Sequence, residues 1–155
     1  MVTPIFADTS VLLAGLIDFG ETSLPAQKLM TAIADTKIRG PQTAWHCCLE
    51  FYAVSTRLPE EYRISPSDSL RLIEEEILAR FRVHQLPERG RGAFLRSAVN
   101  DRAAGGRIYD AHIAEIARLA GAKTVVTDNR RHFTALLRHG IHVLTTEEFA
   151  TEAKL

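Results

Sequence analysis

The sequence has little from which to build special scaffolding. Of its 155 residues only 2 are Cys, and these are adjacent, at Cys47 and Cys48. Neighbouring residues of a helix point in different directions, so a bridge between them is disfavoured; both are expected to be reduced, small core residues of a cytosolic protein. No apolar run is long enough to span a bilayer, and the N-terminus lacks a basic-then-apolar secretory pattern, so a cytoplasmic location is expected. Neither sign of charge is in excess: Lys+Arg is 19 and Asp+Glu is 19. Bulk charge therefore gives no argument for a polyanionic partner. There is no internal repeat, low-complexity segment or linker. What remains, 46% hydrophobic and 25% charged residues, is the make-up of one soluble globular domain over 1–155.

Periodicity alternates between strand and helix. Val2 to Ala7 reads as a buried strand, followed by a helix over Val11 to Asp18 with Thr9 or Ser10 as its cap and Phe19-Gly20 as its end. Ser23 caps a second helix through Ala34, with Pro25 in its first turn. Lys37-Ile38-Arg39 is a short strand stopped by Gly40-Pro41, and Thr43 to Arg57 is a helix. Ser65-Pro66-Ser67 opens a helix running to Leu78 or Ala79, with Leu70, Ile73 and Ile77 spaced for one buried face. Phe81 to His84 is a strand, Glu88 to Ala103 a helix, Gly105-Gly106 a break, and Ile108 to Leu119 the clearest helix, ended by Gly121. Val125-Val126-Thr127 and His142-Val143-Leu144 supply two more strands. Helices of this length between strands imply right-handed crossovers and a parallel sheet. The expected fold is α/β, a three-layer α/β/α sandwich with a central sheet of about five strands.

Four acids stand at positions where chemistry is expected. Asp8 ends the first apolar run and Asp128 follows Val125-Val126-Thr127, which places both at carboxyl ends of parallel strands, where open α/β sheets bind ligands. Asp110 lies in the first turn of the clearest helix, and Glu50 lies on a helical segment between Leu49 and Phe51. Acids gathered in a polar cleft repel one another, so a hard cation, Mg²⁺ or Mn²⁺, is the expected occupant. Such ions activate water and neutralise phosphate charge, in some sites as a pair roughly 4 Å apart. Each acid taken singly also has an ordinary reading: a strand-end acid for Asp8, a dipole partner for Asp110, a solvent-facing residue for Glu50, a turn for Asp128-Asn129. Arg89, Arg91, Arg96, Arg102 and Arg107 fall in one region and suit either phosphate contacts or a solvated helix face. Arg57 and the pair Arg130-Arg131 are likewise candidates for phosphate contacts or structural ion pairs. His132, His139 and His142 do not have the spacing of a zinc site. A phosphoacceptor receiver needs a Lys after the relevant strand, whereas Lys123 precedes Val125-Val126.

The chain resembles the PIN-domain ribonucleases, more narrowly the VapC-type toxins of VapBC toxin–antitoxin pairs. The resemblance spans nearly the whole chain. It rests on Asp8-Thr9-Ser10-Val11-Leu12-Leu13-Ala14, on Glu50 through Pro59, on Tyr109-Asp110-Ala111-His112-Ile113-Ala114, and on Val125 through Phe133, in that order. It implies an Mg²⁺- or Mn²⁺-dependent endoribonuclease acting on single-stranded or looped RNA, with Asp8, Glu50 and Asp110 as metal-binding and catalytic acids. The family often has Thr, any residue, then an acid at the fourth position. Here Thr127 is followed by Asp128 and Asn129, so either Asp128 substitutes from next door or Asn129 holds a water. Thr9, Ser10 and Thr127 are read either as ligand-orienting hydroxyls or as caps. The resemblance further implies a VapB-type antitoxin partner and a homodimer. The alternative is a non-catalytic RNA-binding or assembly module on the same fold.

Overall fold

The computed structural model describes residues 4–155. Five short strands, β1 (Ile5–Ala7), β2 (Gln42–Ala44), β3 (Arg82–His84), β4 (Thr124–Val126) and β5 (His142–Leu144), form one sheet of order β3-β2-β1-β4-β5. Every pairing is parallel, with Phe6 opposite Gln42 and Val125, and Val143 opposite Val125. The helices are α1 (Thr9–Leu16), α2 (Leu24–Ala34), α3 (Trp45–Ser55), α4 (Pro66–Leu72), α5 (Arg91–Asn100), α6 (Arg107–Leu119) and α7 (Thr146–Glu152). They complete the expected three-layer α/β/α sandwich. The central strand β1 is apolar and fully buried, as a strand covered on both faces must be. From β1 the chain moves outward through β2 to β3, then crosses back to β4 on the other side of β1. The switch in winding direction therefore lies between β1 and β4, and the carboxyl ends of strands at such a point are where open α/β sheets bind ligands.

Several boundaries depart from the sequence reading. The first strand is Ile5–Ala7; Val2 and Thr3 lie outside the described residues. Helix α1 is capped by Asp8 rather than Thr9 or Ser10: Asp8 is extended and accepts from the Val11 N–H, while Thr9 is already helical. Its end falls at Leu16, because Ile17 is extended. Lys37-Ile38-Arg39 is not a strand. The Lys37 and Ile38 N–H groups both donate to the Ala32 carbonyl, closing α2 through a left-handed Thr36 (φ 58°), and the strand forms later, at Gln42–Ala44. Consequently α3 starts at Trp45, not Thr43.

Helix α4 runs on into a π-helical turn over Ile73–Leu78. Its inward line is Ser69, Ile73 and Ile77, whereas Leu70 is exposed. The four-residue spacing suits a turn wider than 3.6 residues. The segment expected as a helix over Glu88 to Ala103 is a 3₁₀ turn (Glu88–Gly90) followed by α5. Among the described residues no helix is long and apolar enough to cross a membrane.

Helices α1 and α2 pack closely enough that only glycine fits at one crossing point. A Cβ on Gly15 would collide with Met30 Cγ and stand 3.1 Å from the Ala26 carbonyl oxygen, a backbone atom that cannot move aside easily. Gly15→Ala is therefore expected to destabilise the protein by about 1–3 kcal/mol despite the better helix propensity of Ala. Urea unfolding checks it: a variant at least as stable as the parent contradicts the close approach.

Candidate functional site

The crevice at the β1–β4 switch is organised by Asp8. Its side chain is 2% exposed. Ser10 Oγ donates to Asp8 Oδ1 at 2.6 Å, the Val11 N–H to the same oxygen at 3.4 Å, and Thr127 Oγ1 to Asp8 Oδ2 at 2.8 Å. All these donors are neutral, and no cation pairs with Asp8 among the described residues. Burial therefore dominates and pushes the Asp8 carboxyl up to about 6, against the pull of the three donors and with a smaller push from the Asp128 charge.

Hydroxyl groups tie the other acids to this centre. Thr9 Oγ1 donates to Glu50 Oε1 at 2.7 Å, joining α1 to α3. Burial raises the Glu50 pKa, but His46 one turn earlier, the Thr9 hydroxyl and Arg57 outweigh it and hold the carboxyl below its ordinary range. His46 Nε2 stands 3.7 Å from Glu50 Oε1, and His46 Nδ1 shares a hydrogen bond of 2.8 Å with His112 Nδ1 on α6. Ser10 Oγ accepts from the Asp128 N–H, and Thr127 Oγ1 accepts from the Asn129 N–H, so the loop after β4 is pinned to β1.

Asp110 is anchored separately. His132 Nδ1 lies 2.8 Å from Asp110 Oδ2 but is not aligned for a directed hydrogen bond, so the contact is an ion pair only when the imidazole is protonated. Asp128 turns its Oδ1 to α7, accepting from the Thr146 N–H and hydroxyl at 3.1 and 2.8 Å. Through Ser10 the hydrogen bonds of Asp8 reach the Asp128 backbone, and Thr9, next to Asp8 in the chain, holds Glu50; Asp110 on α6 contacts His132, and the His46–His112 bridge joins α3 to α6 without a hydrogen bond to the Asp110 carboxylate among the described residues.

Thr9, Ser10 and Thr127 act as orienting hydroxyls, while Asp8 itself does the capping. Sequence reasoning passed over His46, although its one-turn spacing from Glu50 on the same helix was a usable signal. Nothing local announced the contacts of His132 and Thr146. Cys47 and Cys48 are buried, with their thiols pushed up to about 12 and about 11 by burial, so neither is a nucleophile at neutral pH.

Among the described residues no three His, Cys, Asp or Glu side chains form a ready-made metal cage. The donor chemistry nonetheless fits a hard cation. Asp8 is a buried carboxylate with only neutral partners, a state that a cation relieves. Mg²⁺ in particular takes one or two carboxylates and keeps waters and substrate phosphate for its other positions.

Strand-end acids at the switch point of a five-stranded parallel sheet define a PIN-like α/β/α protein. No family model matches the chain. It is, however, 30% identical over 144 residues to ribonuclease VapC27 of Mycobacterium tuberculosis, which covers 93% of this chain and 98% of that protein. The chain therefore belongs to the VapC ribonuclease family. Solved structures share its fold. VapC20 of Mycobacterium tuberculosis, a toxin that cleaves the sarcin–ricin loop, has a TM-score of 0.66 at 16% identity over 84% of this chain and 94% of that one. The VapBC-1 structure from nontypeable Haemophilus influenzae gives 0.60 at 15% identity, over 94% and 99%.

The Asp8 environment has a consequence for stability in the metal-free protein. Folded Asp8 keeps its proton up to about pH 6, whereas in the unfolded chain it loses it near 3.8. Between those values the folded state binds more protons, so the Asp8 contribution falls as pH rises and is lost above about 6. The difference corresponds to about 3 kcal/mol. Asp8→Asn retains the polar side chain without the charge. It is expected to be more stable than the parent at pH 7.5 by about 1–3 kcal/mol, with the gap closing below pH 4. Denaturant melts in chelator at the two pH values check this; equal stability at pH 7.5 contradicts it.

Proposed function

We propose that this VapC-family protein is a divalent-metal-dependent endoribonuclease that hydrolyses RNA phosphodiester bonds. We further infer that it is the toxin of a VapBC-type pair, with residues 1–155 acting as one nuclease domain. In this reading Asp8, Glu50 and Asp110 hold Mg²⁺ or Mn²⁺, and Asp128 closes the rim of the site. The observation that carries the proposal is the buried Asp8 carboxylate at the switch point, without a cationic partner among the described residues, held by Ser10 and Thr127 and followed in the chain by Thr9, which bonds Glu50.

The bound ion would supply charge neutralisation at the phosphate and an activated water. The chain supplies position. Ser10 and Thr127 each hold one Asp8 oxygen, Thr9 and His46 hold Glu50 of α3 toward α1, and His132 stands beside Asp110 in the first turn of α6. Such outer contacts determine the orientation of metal-binding carboxylates. Glu50, held below its ordinary carboxylate range, is ionised at neutral pH and available as a ligand or water-orienting base.

The family relationship and the shared fold with a VapBC structure support an antitoxin partner. By analogy with the family, that partner inserts a basic side chain among the same acids, and the toxin dimerises in the cytoplasm.

Purified protein is expected to cleave RNA with Mg²⁺ or Mn²⁺ and to stop in excess chelator. Asp8→Asn and Asp110→Asn should each lower the cleavage rate at least a hundredfold while remaining folded, and Mg²⁺ should raise the melting temperature of the parent but not of Asp8→Asn. Parent-level cleavage by folded Asp8→Asn would remove the proposed site. Retained RNA binding with no divalent-ion binding by calorimetry would favour the non-catalytic module instead.

A further inference from the structure

A protein with zero net formal charge and a crevice of acids repels RNA where it must bind, so local cations have to offset that field. A groove of about 660 Å³ runs from Asp110 between α5, α6 and the 3₁₀ segment Arg130–His139. Ala93, Ala111 and Ala135 are among the small side chains lining it, and four arginines, Arg107, Arg118, Arg131 and Arg138, face it.

Two of the four are already satisfied. Arg118 pairs with Glu115, and Arg138 makes a two-nitrogen contact with Asp101. Arg107 and Arg131 are exposed and have no acidic partner among the described residues. Both stand next to Asp110 by independent routes. Arg107 is one helical turn before Asp110 on α6, and Arg131 immediately precedes His132, which contacts Asp110. The adjacent Arg130 has a different task, pairing with Glu148 at the start of α7. Unpaired guanidinium groups on an open groove are suited to planar contacts with phosphate.

We propose that this groove seats the backbone of single-stranded RNA beside the bond being cut, with Arg107 and Arg131 as phosphate-positioning residues. This rests on the ribonuclease reading above. The groove then sets the path of the strand on the Asp110 side of the site. It does so without contacting the reacting phosphate, so its contribution is to binding.

The test is fluorescence anisotropy of the full chain with a labelled oligouridine in EDTA, over a series of NaCl concentrations. For single strands the slope of log K against log salt changes by about 0.7 per phosphate contact. Arg107→Ala and Arg131→Ala should each weaken binding several-fold at low salt and reduce the slope by about 0.7, and the double variant by about twice that. Arg107→Lys and Arg131→Lys should keep the slope, and Arg130→Ala should leave it unchanged. Melting curves establish that each variant is folded.

An unchanged slope in a folded double variant overturns this proposal alone. Failure of the parent to bind oligouridine at all also overturns it, while the ribonuclease reading stands or falls separately on Mg²⁺-dependent cleavage. Loss of oligoglutamate binding in the variants, with RNA binding intact, also overturns it and assigns the groove to an acidic peptide.

Discussion

A carboxylate buried without a counter-ion is the constraint around which this protein is arranged. Asp8 sits at the end of a fully buried strand, and among the described residues its side chain accepts from two hydroxyls and one backbone N–H. Those bonds keep the group in place but do not neutralise it, and desolvation raises its proton affinity. A fold optimised for stability alone would put a neutral residue there. Retaining the acid makes sense where a cation joins it during function, which is the ordinary relation between a strained site and its task.

The same residue connects fold and chemistry. Asp8 caps α1, so its position is set by the β1-to-α1 turn that also defines the switch in sheet winding. Helix α1 then presents Thr9 to Glu50 and Ser10 to the Asp128 backbone. Thr127, one residue past β4, closes the arrangement from the other side of the switch. Acids separated by scores of residues are thus oriented by three short hydroxyl side chains on two adjacent strand ends. Arg107 and Arg131 line the groove that Asp110 opens onto, which gives a neutral chain local cations beside that acid without a basic surface overall.

Much of this was legible from residue order. The apolar runs ending in Asp8 and before Asp128 located β1 and β4, and the regular strand–helix alternation fixed a parallel five-stranded sheet. Strand β2 was displaced because Ile38 is a β-former, yet it and Lys37 spend their N–H groups on the end of α2, a choice made by the left-handed Thr36. Leu70 was misplaced because a π-helical turn follows it and periodicity assumes 3.6 residues throughout. At the site, residue types announced the acids and hydroxyls. They could not separate Arg130 from Arg131, because partner choice between Glu148 and an open groove is set by the 3₁₀ path after β4. The commitment of Asp128 Oδ1 to Thr146 was equally invisible, since it depends on α7 returning beside β4.

The most direct test of the account is a ¹³C NMR titration of the Asp8 side-chain carboxyl, in chelator and in saturating Mg²⁺. A midpoint near 6 is expected without metal, with a fall of at least two units when the ion binds. A midpoint at the ordinary aspartate value, unmoved by Mg²⁺, would contradict it.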